Sequence, residues 1–165
     1  MAVVFTDSGV SRDLAESLQG DEAGAAVEDW ARGRGQDPLR LNTLWHGLHY
    51  ILSGVTDERP GPGPLGQVIF THHRLAFTAG RSDSPFWLLL PGGVGEVERA
   101  FAELDEAAVE RRYADITNDR VVGIYWQDSF RGPSARQEIE SALQSLKAFY
   151  QDRARGGEAV VNVIG

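Results

Sequence analysis

The chain has 165 residues, 42% of them hydrophobic, with 16 basic against 24 acidic side chains and hence a formal net charge of −8. One domain of ordinary size is expected, burying roughly two-thirds of the surface its unfolded form exposes, so no structural metal or cross-link is needed. The absence of cysteine excludes thiolate catalysis, disulfides and cysteine-held clusters, and the acidic balance without a basic stripe argues against a nucleic-acid partner.

The opening Met1-Ala2-Val3-Val4-Phe5-Thr6-Asp7 lacks the basic start and apolar run of a signal peptide. The longest apolar run, Phe86-Trp87-Leu88-Leu89-Leu90, falls far short of the ~20 residues that cross a bilayer. A soluble, cytoplasmic protein is expected.

In chain order, Val3-Val4-Phe5 reads as a short strand. Helices follow over 11–19, with Ser11 as cap, and over 23–32, burying Val27 and Trp30. A third helix is capped by Asn42 and ends at Gly54, with Leu44, Leu48, Ile51 and Leu52 on one stripe. Arg59-Pro60-Gly61-Pro62-Gly63-Pro64 denies both helix and ladder bonds and reads as a surface loop.

Beyond it, 67–70 and 75–77 read as two strands joined by Thr71-His72-His73-Arg74, and 86–90 as a buried strand. Val94, Val97, Phe101 and Leu104 mark an amphipathic helix, and Asp105 caps another that turns Val109 and Tyr113 inward. The β-branched and aromatic stretch 121–126 predicts a strand. Ser134 and Gln137 fit a capping box ahead of a long helix whose apolar face runs from Ile139 to Tyr150 and which stops at Gly156-Gly157. A final strand covers 159–164. This mixed order, without regular strand-helix alternation, predicts a single α+β domain in which helices cover a mixed, mostly antiparallel sheet.

Three segments carry a family likeness. Leu44-Trp45-His46-Gly47-Leu48-His49-Tyr50-Ile51-Leu52 resembles the "W-H-G-L-H-x-L-L" helix of the YfbM-like bacterial proteins, a family of unknown function. Leu146-Lys147-Ala148-Phe149-Tyr150, followed by Gly156-Gly157-Glu158-Ala159-Val160-Val161, is similar to that family's closing "L-K-x-F-Y" and "G-x-A-V-L". Ile124-Tyr125 and then Trp126 lie where such proteins place an "I-Y" strand ahead of a tryptophan. The chain departs from the family's Met-Gly-Met-like start, and Ser84-Pro85-Phe86-Trp87 stands where relatives carry Tyr-Gly-Pro-Ala-Arg, so that arginine is missing. The resemblance implies an α+β fold and a small monomeric bacterial domain, and no established chemistry.

At about 100° per residue, Leu44, Trp45, Ile51 and Leu52 fall within about 60° of Leu48, whereas His46, His49, Tyr50 and Ser53 form a polar-aromatic face. Imidazoles there can wall a small-molecule or hydrolytic site, with help from Tyr125 and Trp126, or donate to backbone carbonyls and hold the helix in place. Gly47 implies close approach of another backbone.

Metal ligation is not expected: His46 and His49 lack the four-residue spacing and intervening Glu of the familiar zinc helix, and His72 and His73 fall on a turn. Gly92-Gly93-Val94-Gly95 lacks the Lys-Ser or Lys-Thr of a phosphate loop, no Gly-x-Ser-x-Gly occurs, and no motif points to a cofactor. Asp115, Asp119 and Asp128 could line a cleft but read as a solvated loop. Trp45, Trp87, Trp126, Phe149 and Tyr150 are expected in the core, with Trp126 and Tyr150 as an anchor should both be exposed. The expectation is a non-catalytic acidic module that binds a basic protein partner in the manner of an immunity or antitoxin factor, with no catalytic residues assigned; the alternative is the site on the His46/His49/Tyr50 face.

Overall fold

A computed structural model of the chain describes residues 2–7, 39–75 and 86–164. Within them lie strands β1 (Ala2–Asp7), β2 (Leu39–Asn42), β3 (His73–Leu75), β4 (Phe86–Leu89) and β5 (Ala159–Ile164). They form one sheet in the order β2-β1-β5-β4-β3, with every pairing antiparallel. Helices α1 (Trp45–Ser53), α2 (Pro91–Ala102), α3 (Glu106–Thr117) and α4 (Ala135–Gly156) complete an α+β fold. The helices expected at 11–19 and 23–32 lie outside the described residues.

The last strand of the chain becomes the middle of the sheet. β5 pairs with β1 from Ala2↔Ile164 to Asp7↔Ala159, and with β4 from Phe86↔Val163 to Leu89↔Val160. Trp87, Leu88 and Leu89 are buried in succession, as are Ala159, Val160, Val161 and Asn162. Consecutive burial means that both faces of this part of the sheet are covered, which is why these strands read as unbroken apolar runs.

Local chemistry sets several helix ends. Asp105 caps α3 by accepting from the Ala108 N–H at 3.1 Å. Gly54 and Gly157 close α1 and α4 in the left-handed region, at φ 76° and 64°. Along α4, Ile139, Leu146 and Tyr150 are buried in the core, where the Tyr150 ring meets Phe101 of α2.

Other ends differ from expectation. Asn42 ends β2 with φ 46°, and α1 starts three residues later at Trp45 with Leu44 as cap, after a Leu44 N–H to Leu41 carbonyl turn. Ser134 is already helical, so its hydroxyl misses the backbone and donates instead to Glu138 Oε1 at 2.6 Å; no capping box forms. The glycines at 92, 93 and 95 lie inside α2, which begins at Pro91.

Two expected strands are absent, for one reason. At 67–70 the chain makes a 3-10 turn over Pro64–Gln67 and then runs irregularly to Phe70. The carbonyl of Val68 accepts from the Tyr150 hydroxyl and from Asn162 Nδ2, and that of Ile69 also accepts from Asn162 Nδ2, each at 3.0 Å. Buried backbone that finds side-chain partners does not need a ladder. His73 therefore begins β3, opposite Leu88, instead of sitting in a turn. At 121–126 no strand forms either: Gly123 and Trp126 have φ 90° and 53°, and the Tyr125 N–H is taken by the His46 ring.

Candidate functional site

α1 is buried on nearly every side, which is the pattern of a helix enclosed by its neighbours, not of one at a surface. Leu48 and Ile51 enter the apolar core, while other positions of α1 bind residues 55–61 and residues 125–130, the latter ending in a 3-10 turn over Gln127–Phe130.

His46 joins both. Its Nδ1 accepts from the Tyr125 backbone N–H at 3.0 Å, and its Nε2 lies 2.6 Å from the Thr56 carbonyl. A backbone N–H donor facing Nδ1 and a carbonyl facing Nε2 fix the tautomer, with the ring proton on Nε2. The ring also stacks on Trp45, with centroids 4.8 Å apart and planes 18° apart, and is 4.8 Å from the Tyr125 ring.

Gly47 serves the same segment. A Cβ there would stand 2.0 Å from Phe130 Cζ, so the missing side chain is the seat of the Phe130 ring. The close neighbour is thus an aromatic side chain, not the backbone that the glycine suggested. Tyr113 of α3 donates to the Phe130 carbonyl at 3.1 Å, and Gln127 Nε2 donates to the Ile116 carbonyl at 2.8 Å.

His49 points elsewhere. Its ring meets Phe70 edge-on at 4.7 Å, and neither ring nitrogen makes a well-formed hydrogen bond. Burial lowers its pKa to about 4; the neighbouring His46 adds to that, while the backbone of Asp57 and Arg59 and the Asp57 charge work the other way. One residue turn along, the Ser53 hydroxyl donates to the His49 carbonyl and accepts from the Val55 N–H, turning the chain out of the helix.

Tyr50 faces α3, its hydroxyl 3.5 Å from Asp115 Oδ2 and its pKa raised by burial and by the Asp115 charge. The five residues singled out in the sequence therefore form no single pocket. His46, Tyr125 and Trp126 gather around Trp45, His49 lies deeper beside Phe70, and Tyr50 turns to α3. A cleft of about 490 Å³ between β2 and α4, and one of about 380 Å³ beneath the Pro/Gly loop, are lined by none of the five.

What reaches solvent is aromatic. Tyr125 and Trp126 are 50% and 51% exposed beside Val122 at 82%, and their rings stand 5.9 Å apart at 62° with the buried Trp45 behind them. Trp126 is therefore not in the core, whereas Trp45, Trp87 and Tyr150 are. Its left-handed backbone costs about 1–2 kcal/mol for a residue with a Cβ. Bonds on both sides hold it there: Tyr125 to His46, and the Ser129 N–H to the Trp126 carbonyl at 2.8 Å. Sequence patterning missed Glu58, whose carboxylate lies against the Tyr125 hydroxyl and raises its pKa; nothing local in a Pro/Gly loop signals such a contact.

Asp119 pairs with Arg131, and Asp115 with Arg120 at 3.8 Å, so these carboxylates bind the turn after α3. His72 and His73 are exposed, and among the described residues no group of three or more His, Asp or Glu is disposed to hold a metal ion.

Residues 8–163 match the family described as a domain of unknown function, DUF1877. The chain belongs to that family. No curated protein matches it. The crystal structure of YfbM from Escherichia coli, a protein of unknown function, is similar over 100% of both chains, with a TM-score of 0.66 and 17% sequence identity. The likeness at that identity is one of fold. In this DUF1877 chain the tryptophan, histidine and glycine of the Trp45-His46-Gly47 segment each support residues 124–130: a ring behind Trp126, an acceptor for the Tyr125 N–H and a seat for Phe130.

Proposed function

We propose that this DUF1877 protein is a non-catalytic, acidic binding domain that captures a basic protein partner in the manner of an immunity or antitoxin factor, and that Tyr125 and Trp126 are its anchor. One observation carries the reading: two adjacent half-exposed aromatic rings sit on a backbone fixed from both sides, with Trp126 held at φ 53°. Large rigid rings that lose water on contact dominate protein interfaces, each worth about 2 kcal/mol or more at a well-packed centre. The net charge of −8 favours encounter with a cationic surface. A small-molecule or hydrolytic site on the His46/His49/Tyr50 face has less support, because those side chains diverge and their histidines are closed off from solvent.

The test is capture from extract of the native cell by the immobilised full chain, wild type against Trp126→Ala, at low and high salt. A partner lost with Trp126 and weakened by salt supports the reading. A retained protein indifferent to both, or none at all, contradicts it.

A further inference from the structure

The geometry points to an arginine side chain as the group that enters the corner between Tyr125 and Trp126, with Glu58 as its counter-charge. The inference deepens the protein-binding reading by naming the side chain that the partner contributes.

The first support is shape. Two exposed rings inclined at 62° and 5.9 Å apart offer one face and one edge to whatever enters between them, and Trp45 closes the back of the corner. A planar guanidinium stacks on an indole face and is attracted by the ring quadrupole, Arg being the commoner partner and Trp the best ring.

Charge is the second. The described cations nearby are already matched: Arg59 with Asp57 at 2.9 Å, and Arg131 with Asp119 and Asp128. Glu58 differs. It is exposed, makes no ion pair among the described residues, and its neighbour is the neutral Tyr125 phenol. A carboxylate at the rim of an aromatic corner is a ready bidentate acceptor for guanidinium.

The third is rigidity. Tyr125 is held by its N–H on His46, and Phe130 is seated over Gly47, so the backbone that carries the two rings is fixed before a partner arrives. A corner held in this way serves a compact charged anchor better than a deformable apolar groove.

The probe is a short blocked peptide with one arginine, titrated into the full-length protein and followed by amide and indole NMR shifts. Its partner is the same peptide with citrulline, which keeps the shape and loses the charge. The expected result is shifts centred on Trp126 and Tyr125, at least tenfold weaker binding of citrulline, several-fold weakening in Glu58→Gln and loss in Trp126→Ala. The same spectra report whether each variant is folded. Equal binding of citrulline, shifts elsewhere or no shifts would overturn the inference. Should the arginine peptide fail while capture of a partner still depends on Trp126, the arginine corner falls and the docking reading stands. Should the peptide bind this corner while capture ignores Trp126, the corner stands and the docking reading falls.

Discussion

The Phe130 ring occupies the space that a side chain on Gly47 would need, with Cζ 2.0 Å from where a Cβ would stand. Gly47→Ala should therefore destabilise the fold, although alanine is the better helix former by about 1 kcal/mol. Phe130 is fully buried and cannot yield without moving residues 127–130, so overpacking of about 1–3 kcal/mol outweighs propensity. Urea denaturation should show a lower midpoint, part of which returns on pairing Gly47→Ala with Phe130→Leu. An unchanged or raised midpoint would mean that the two do not meet.

His46→Phe keeps a ring against Trp45 but removes an acceptor from the Tyr125 N–H and a donor from the Thr56 carbonyl. Two part-buried groups left without partners should cost about 2–4 kcal/mol in total. Loss below about 0.5 kcal/mol in chemical denaturation would show that water replaces the imidazole at no cost.

His49 makes stability depend on pH. Its folded pKa of about 4 lies below the ordinary value of 6.5, so between those limits the unfolded chain binds more protons. The contribution is complete above about pH 6.5, is lost as pH falls, and levels off below about pH 4. The full loss is about 3 kcal/mol. Comparing unfolding at pH 7 and pH 4.5 in wild type and His49→Phe isolates it: the wild type should lose markedly more. Equal losses would place the imidazole in contact with water.

These histidines also show what a local pattern can convey. The Leu48 stripe, the Asp105 cap and the Gly54 and Gly157 stops were legible because each depends on residues within a turn or two. Segments 67–70 and 121–126 were not, although both have strand composition. Their backbone groups are satisfied by Asn162, Tyr150 and His46, which lie far away in the sequence. Trp126 reads as core by residue type, yet a left-handed backbone turns it to the surface. The polar face of α1 was visible; that its members serve separate neighbours was not, because a helical wheel does not say what lies opposite.

Asn162 and Tyr150 give a further check on segment 68–70. Tyr150→Phe deletes one buried bond to the Val68 carbonyl and should cost about 1 kcal/mol. Asn162→Leu leaves the Ile69 carbonyl without this donor and removes one of two from Val68, and should cost about 2–3 kcal/mol. Thermal unfolding in which Asn162→Leu is neutral or stabilising would show that these carbonyls find other partners.

α1 holds the segment carrying Tyr125 and Trp126 through the His46 ring, and the tautomer of that ring reports on the hold. Nitrogen-15 NMR should find the proton of the His46 imidazole on Nε2, together with a Tyr125 amide that exchanges slowly in wild type and fast in His46→Phe. A proton on Nδ1, or a Tyr125 amide that exchanges as freely as in an unfolded chain, would mean that α1 does not hold this segment.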